Sequence, residues 1–140
     1  MFIKQVSVFI ENQPGALSEV LDILAENDIN MSALSVADTA DFGILRLIVS
    51  NPDEAKKILR EKGYIVKLTD VIAVGIEDRP GGLSKPLKLL KENDIAIEYM
   101  YAFIGKAESG ALVVMKTSDS EKSAKVLADV AVDAKEIYRI

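Results

Sequence analysis

Val6, Val8 and Ile10 alternate with Gln5, Ser7 and Phe9, and this period of two predicts a strand with one face turned inward. Leu17, Val20, Leu21 and Leu24 then recur at helical spacing. That pattern begins after Pro14, whose fixed φ and missing N–H suit a first helical turn. Ile29 to Val36 reads as a second strand, Asp38-Thr39-Ala40-Asp41 as a polar hairpin, and Gly43 to Ser50 as a third strand. Asn51-Pro52-Asp53-Glu54 predicts a helix start, with an Asn cap, Pro at the first position and acids facing the positive end of the dipole. This helix continues through Ile58 and Leu59 to a stop at Gly63, and Tyr64 to Leu68 follows as a short strand.

The same order then returns. Strand Val71–Ile76, helix 82–92, strand 95–104, strand 110–116, helix 119–129 and strand 134–138 make a second βαββαβ unit. The repetition is written in the residues as well as in the pattern. Phe9 to Asn30 set against Gly75 to Ala96, at a constant offset of 66, gives twelve identities in twenty-two positions without a gap. The expected fold class is therefore α+β, with two ferredoxin-like βαββαβ domains in tandem (residues 1–69 and 70–140). Each is expected to have four antiparallel strands with its helices on one face, and the two to pair edge to edge. They are expected to meet at Leu68-Thr69-Asp70, with no Gly/Ser/Pro linker between them.

Composition narrows the chemistry. The 140 residues hold no Cys and no His, which within this chain excludes disulfides, thiolate nucleophiles, histidine bases and Cys/His zinc sites. A net charge of -5 with scattered basic residues speaks against nucleic acid and anionic membranes. No stretch approaches the ~18 apolar residues of a membrane helix. The first residues lack the long apolar run of a signal peptide, so the cytoplasm is the expected compartment. Glu11 and Glu77 recur beside the turns, yet no nucleophile–base pair, metal cluster or phosphate loop accompanies them, so no enzymatic activity and no cofactor are expected.

Topology alone leaves function open. RNA-recognition motifs need aromatic signatures that "FGILRLIVS" at Phe42 to Ser50 does not supply, and copper chaperones of this shape need a Cys pair. The turn is more specific. Asn12-Gln13-Pro14-Gly15-Ala16-Leu17, with a helix ending in Glu26-Asn27-Asp28-Ile29-Asn30-Met31, resembles the ACT domain, a regulatory module that binds amino acids. Asp78-Arg79-Pro80-Gly81-Gly82-Leu83 with Glu92-Asn93-Asp94-Ile95 is similar to a second copy, and together they cover essentially the whole chain.

The resemblance implies an α-amino acid as ligand, held by these two loops together with Asn30 and Met31. Gly15 and Gly81-Gly82 would let backbone amides at the helix start approach a carboxylate, aided by the helix dipole. Asn12 and Asp78 would offer acceptors to the ammonium group. In serine-sensing members of the family an Asn before x-Pro-Gly and an Asn opening the second strand contact ligand. These positions are Asn12 and Asn30 in the first repeat but Asp78 and Ala96 in the second, a departure from the pattern. Such sites form where the loop of one domain faces the second strand of another. A site joining Asn12 to the Ala96 side, beside Tyr99 or Met100, would then differ from one joining Asp78 to Asn30.

Helix capping is the alternative role for Asn12 and Asp78, and Asn27-Asp28 and Asn93-Asp94 read as helix terminators. Tyr99, Tyr101 and Phe103 share one strand face, which reads either as a stacking platform for a base or aromatic ligand or as a surface packed against another subunit or sheet; Phe9, Ile44 and Ile48 likewise occupy the face away from the helices, and this surface predicts a homodimer. The functional expectation is a regulatory protein of amino-acid metabolism. It would sense an amino acid at the interdomain interface and act on a biosynthetic enzyme. The alternative is a constitutive regulatory subunit, of the acetolactate-synthase small-subunit kind, that works by protein contact.

Overall fold

The computed structural model describes residues 2–38, 41–105 and 110–139. Thr39 and Ala40 of the expected hairpin lie outside them. The elements run β1 (Phe2–Glu11), α1 (Ala16–Glu26), β2 (Met31–Asp38), β3 (Phe42–Val49), α2 (Pro52–Glu61), β4 (Ile65–Ile76), α3 (Ser84–Glu92), β5 (Ile97–Ala102), β6 (Ala111–Thr117), α4 (Ser120–Val126) and α5 (Ala134–Arg139). None of the described helices is long and apolar enough to cross a membrane. The chain divides into two compact units. One holds Lys4–Thr69; the other holds Asp70–Arg139 with Phe2 and Ile3.

In the first unit β3 lies between β1 and β2 and is antiparallel to both, pairing Val6 with Leu47 and Glu11 with Phe42 on one side and Met31 with Val49 on the other. The alternation in β1 does what its period requires. Val6, Val8 and Ile10 turn into a core with Leu45, Leu47 and Val49, against Val20, Ile23 and Leu24 of α1 and Ala55, Ile58 and Leu59 of α2. Asn51 caps α2 by accepting from the Glu54 amide at 3.2 Å, with Pro52 in the first turn. Both terminator readings hold. Asn27 and Asn93 donate their side-chain amides to Ile23 O and Leu89 O at 2.8 Å, and Asp28 and Asp94 turn left-handed at φ 56 and 58.

In the second unit β6 lies between β4 and β5, pairing Ile72 with Met115 and Ile97 with Thr117. Its core of Ile72, Val74, Leu90 and Ile95 stands at the 66-residue offset from Val6, Val8, Leu24 and Ile29, so the repeat holds at the level of packing. Asp119 caps α4 through the Lys122 amide at 3.0 Å.

Two expected elements are corrected. The strands 64–68 and 71–76 are one continuous strand, β4, that passes straight through Leu68-Thr69-Asp70. The expected last strand, 134–138, is the helix α5. The place beside β4 is taken earlier in the chain, where Val132 N donates to Ala73 O at 2.8 Å and Gly75 N to Val130 O at 2.9 Å. With that edge paired, the following segment is free to coil, and Ile137 is buried. Phe2, from the start of β1, packs against the second unit's core.

Candidate functional site

Each repeated loop is a tight turn between the first strand and first helix of its unit. Gln13 N donates to Glu11 O at 2.8 Å and Ala16 N to Gln13 O at 3.2 Å; in the second copy Arg79 N donates to Glu77 O and Gly82 N to Arg79 O, both at 2.9 Å. Gly15 and Gly81 carry the reversal at φ 87 and 83, where a side chain would be strained. Pro14 lies in the turn before α1 rather than in the first helical turn as the sequence suggested, and Pro80 likewise precedes α3.

The ends of α1 and α3 differ from those of α2 and α4. Asn51 and Asp119 cap α2 and α4 with side-chain oxygens, whereas α1 and α3 receive no side-chain cap. Among the described residues the amides of Gly15, Leu17 and Ser18, and those of Gly81, Leu83 and Ser84 at the same offset, find no acceptor. Three donors at each tip thus stand where the helix dipole favours negative charge. Gly82 has another reason to be glycine. An ideal Cβ there would sit 1.9 Å from Glu77 O, so the turn's own backbone, rather than a guest, demands it.

Asn12 does not cap α1. Its side-chain amide donates to Asp38 Oδ1 and its backbone amide to Asp41 O, both at 3.3 Å, which ties the loop to the far end of β2. Gln13 bonds to Glu11, and Arg79 pairs with Glu77 at the surface. Asn30 and Met31 stand elsewhere. Glu11 faces Phe42 and Met31 faces Val49, seven residues along β3, so within one unit the loop and Asn30 lie about 23 Å apart. Asn30 and Ser50 bond reciprocally at 3.0 and 2.8 Å, and Ala96 and Ser118 do the same at 3.1 and 2.9 Å. These backbones brace the opposite end of each unit.

A depression of about 570 Å³ opens beside the first loop, where Gly15 and Glu19 meet Phe9, Phe42, Tyr64 and Ile65. Burial and a hydrogen bond to Glu19, whose charge acts the same way, push the Tyr64 phenol up to about 12 from its ordinary 10.0. A second depression of about 540 Å³ adjoins the other loop, lined by Gly75, Arg79, Gly81, Lys85 and Asp129 among others. The sequence reading missed Glu19, Phe42 and Tyr64, because only chain folding brings them to the turn. No group of three or more acidic residues among those described could hold a metal ion.

The chain thus carries two small strand–helix units in tandem, each with a first helix that lacks a side-chain cap. Residues 1–136 match the family model described as an ACT domain pair, and the chain belongs to that family. Protein BT0572 from Bacteroides thetaiotaomicron is 41% identical, with a TM-score of 0.92 over 100% of this chain and 98% of that one. The acetolactate synthase isozyme 3 small subunit of Escherichia coli (strain K12) is 28% identical over 86 residues, 61% of this chain and 53% of that one. An acetolactate synthase small subunit from Buchnera aphidicola subsp. Baizongia pistaciae is 27% identical over 94 residues, 67% of this chain and 59% of that one. The matches thus span little more than half of these curated relatives. The regulatory subunit of aspartate kinase from Thermus thermophilus shares the fold, with a TM-score of 0.62 at 17% identity over 91% of each chain.

Proposed function

We propose that this chain is a regulatory protein of amino-acid metabolism that binds an α-amino acid at its helix-tip loops. The observation that carries the reading is the repeated set of unbonded amides at Gly15, Leu17 and Ser18 and at Gly81, Leu83 and Ser84, above helices that lack side-chain caps. These donors suit the ligand's carboxylate, and Asn12 and Asp78 stand in the same turns for its ammonium group. Asn30 lies at the other end of the unit, so a ligand held by both a loop and an Asn30 must be shared by two ACT domains. Binding would regulate a partner by favouring one arrangement of domains over another, with couplings of about 1 to 3 kcal/mol. The protein works as a homodimer and acts on a biosynthetic enzyme rather than catalysing a reaction itself.

The second reading is a constitutive regulatory subunit of a biosynthetic enzyme, favoured by the relationship to acetolactate synthase small subunits. Calorimetric titration with the twenty amino acids separates the two. Saturable heat with at least one, weakened in Asn12→Ala or Asp78→Ala, supports the sensor. No heat and no thermal shift at millimolar concentration leaves only the subunit.

A further inference from the structure

Among the described residues six large apolar side chains are exposed, and three of them, Phe9, Phe42 and Ile65, at 42%, 57% and 69%, line one hollow. Phe9 and Phe42 stand on neighbouring strands and on the same sheet face, since Phe9 lies opposite Ile44 and Phe42 opposite Glu11. The sequence reading gave this face to a subunit contact, and the fold divides it. Ile48 and Phe103 are buried within the chain, whereas the Phe9 end is left in water. Large apolar groups gathered around one concavity mark an interaction surface. Glu11 and Glu19 line the hollow, Asp41 adjoins it beside Phe42, and no Lys or Arg stands among the lining residues. A surface that fits it is apolar at its centre and basic around it.

The chain itself carries such a surface. Leu89 of α3 is 40% exposed, with Lys85 one helical turn before it and Lys88 beside it; Lys91 follows, against the one exposed carboxylate of Glu92. At the 66-residue offset Lys85, Lys88 and Leu89 correspond to Glu19, Asp22 and Ile23 of α1, and Ile23 is buried at 6%. The repeat has thus inverted the charge of this helix face and turned an apolar position outward in α3. We infer that α3 of a second copy docks on the hollow of Phe9, Phe42 and Ile65, seating Leu89 between the rings with Lys85 and Lys88 toward Glu11, Glu19 and Asp41. The inference rests on the homodimer in the proposed function and supplies its contact. Acids around the hollow oppose its docking on a second hollow, so the contact joins unlike parts of the two copies, and its reciprocal exchange closes a dimer.

The test is analytical sedimentation of the full chain, its Phe42→Asp variant and its Leu89→Asp variant. Both side chains are exposed, so the variants should melt close to the parent. The parent is expected to be a dimer that weakens as salt is raised, and each variant alone to associate about tenfold or more weakly. An equimolar mixture of the two variants should regain association, because the intact hollow of the Leu89→Asp chain receives the intact α3 of the Phe42→Asp chain. A mixture no stronger than its components would overturn the inference. So would a dimer lost in Phe42→Asp but kept in Leu89→Asp, since the hollow would then meet another surface. Variants that keep the dimer but lose calorimetric heat with amino acids would assign the hollow to the ligand instead. A monomeric parent would overturn the inference together with the proposed homodimer, while the amino-acid reading would still stand or fall by its own titration.

Discussion

Gly82→Ala is the sharpest test of how the second loop is built. The added Cβ would lie 1.9 Å from Glu77 O, where real contacts essentially never fall below 3.0 Å, and 3.1 Å from Arg79 O. The shortfall is about 1.1 Å against backbone atoms, which no side-chain rotation relieves. The turn must therefore open, and the bonds it opens are Gly82 N to Arg79 O and Arg79 N to Glu77 O, each 2.9 Å. At about 1 kcal/mol for each bond, the loss is about 2 kcal/mol. For a chain of this size that lowers the thermal midpoint by roughly 6 to 10 °C.

Gly15→Ala is the internal control. Its φ of 87 strains alanine, but nothing lies within 4 Å of the new carbon, so the cost is about 1 kcal/mol of backbone strain. Ala16, which stands where Gly82 does in the first repeat, shows that the first turn tolerates this methyl. Circular dichroism melts and urea titrations of the two variants decide the matter. If Gly82→Ala melts with the parent, or costs less than Gly15→Ala, the close approach to Glu77 O does not govern the loop. The opened turn should also carry the Leu83 and Ser84 amides out of place, so amino-acid binding at the second loop should weaken alongside stability.

Two further outcomes are expected. The Tyr64 phenol has an ordinary value of 10.0 and is raised to about 12 in the folded chain, so its contribution to stability is complete below pH 10 and is lost as pH rises through about 12. Tyrosinate absorbance should show one late-titrating ring that vanishes in Tyr64→Phe and titrates earlier in Glu19→Gln; an unchanged titration in both variants would contradict the Glu19 contact. Phe2→Ala removes a partly buried ring from the second unit's core and should cost about 1 to 2 kcal/mol. Hydrogen exchange should then quicken at Val113–Met115 more than at Leu45–Leu47, and an equal loss at both would place Phe2 in the wrong core.

Much of this was readable before any folding was considered, and the reason is range. The alternation of Val6, Val8 and Ile10, the helical spacing of Leu17, Val20 and Leu24, the Asn51 cap and the Asn27-Asp28 stop are decided by residues within a turn or two of one another. The family resemblance also lay in one contiguous stretch, from Asn12 to Met31, repeated 66 residues later. What failed was pairing. The 134–138 segment reads as a strand only by analogy with the first repeat, although Ala134, Lys135 and Glu136 are good helix formers. The edge beside Gly75 had already been paired by Val130 and Val132.

From the sequence alone came the duplication, the strand–turn–helix order and the two glycine turns, because local sterics and periodicity settle those. Tertiary structure alone decided that Asn12 holds Asp38, that Asn30 stands about 23 Å from its own loop, and that Phe42 and Tyr64 wall the first hollow. It also made β4 a single strand and placed Phe2 in the second unit's core. Such contacts join residues far apart in the chain, and which distant edge or hollow a side chain meets depends on how strands pair and close, which no short window of residues encodes.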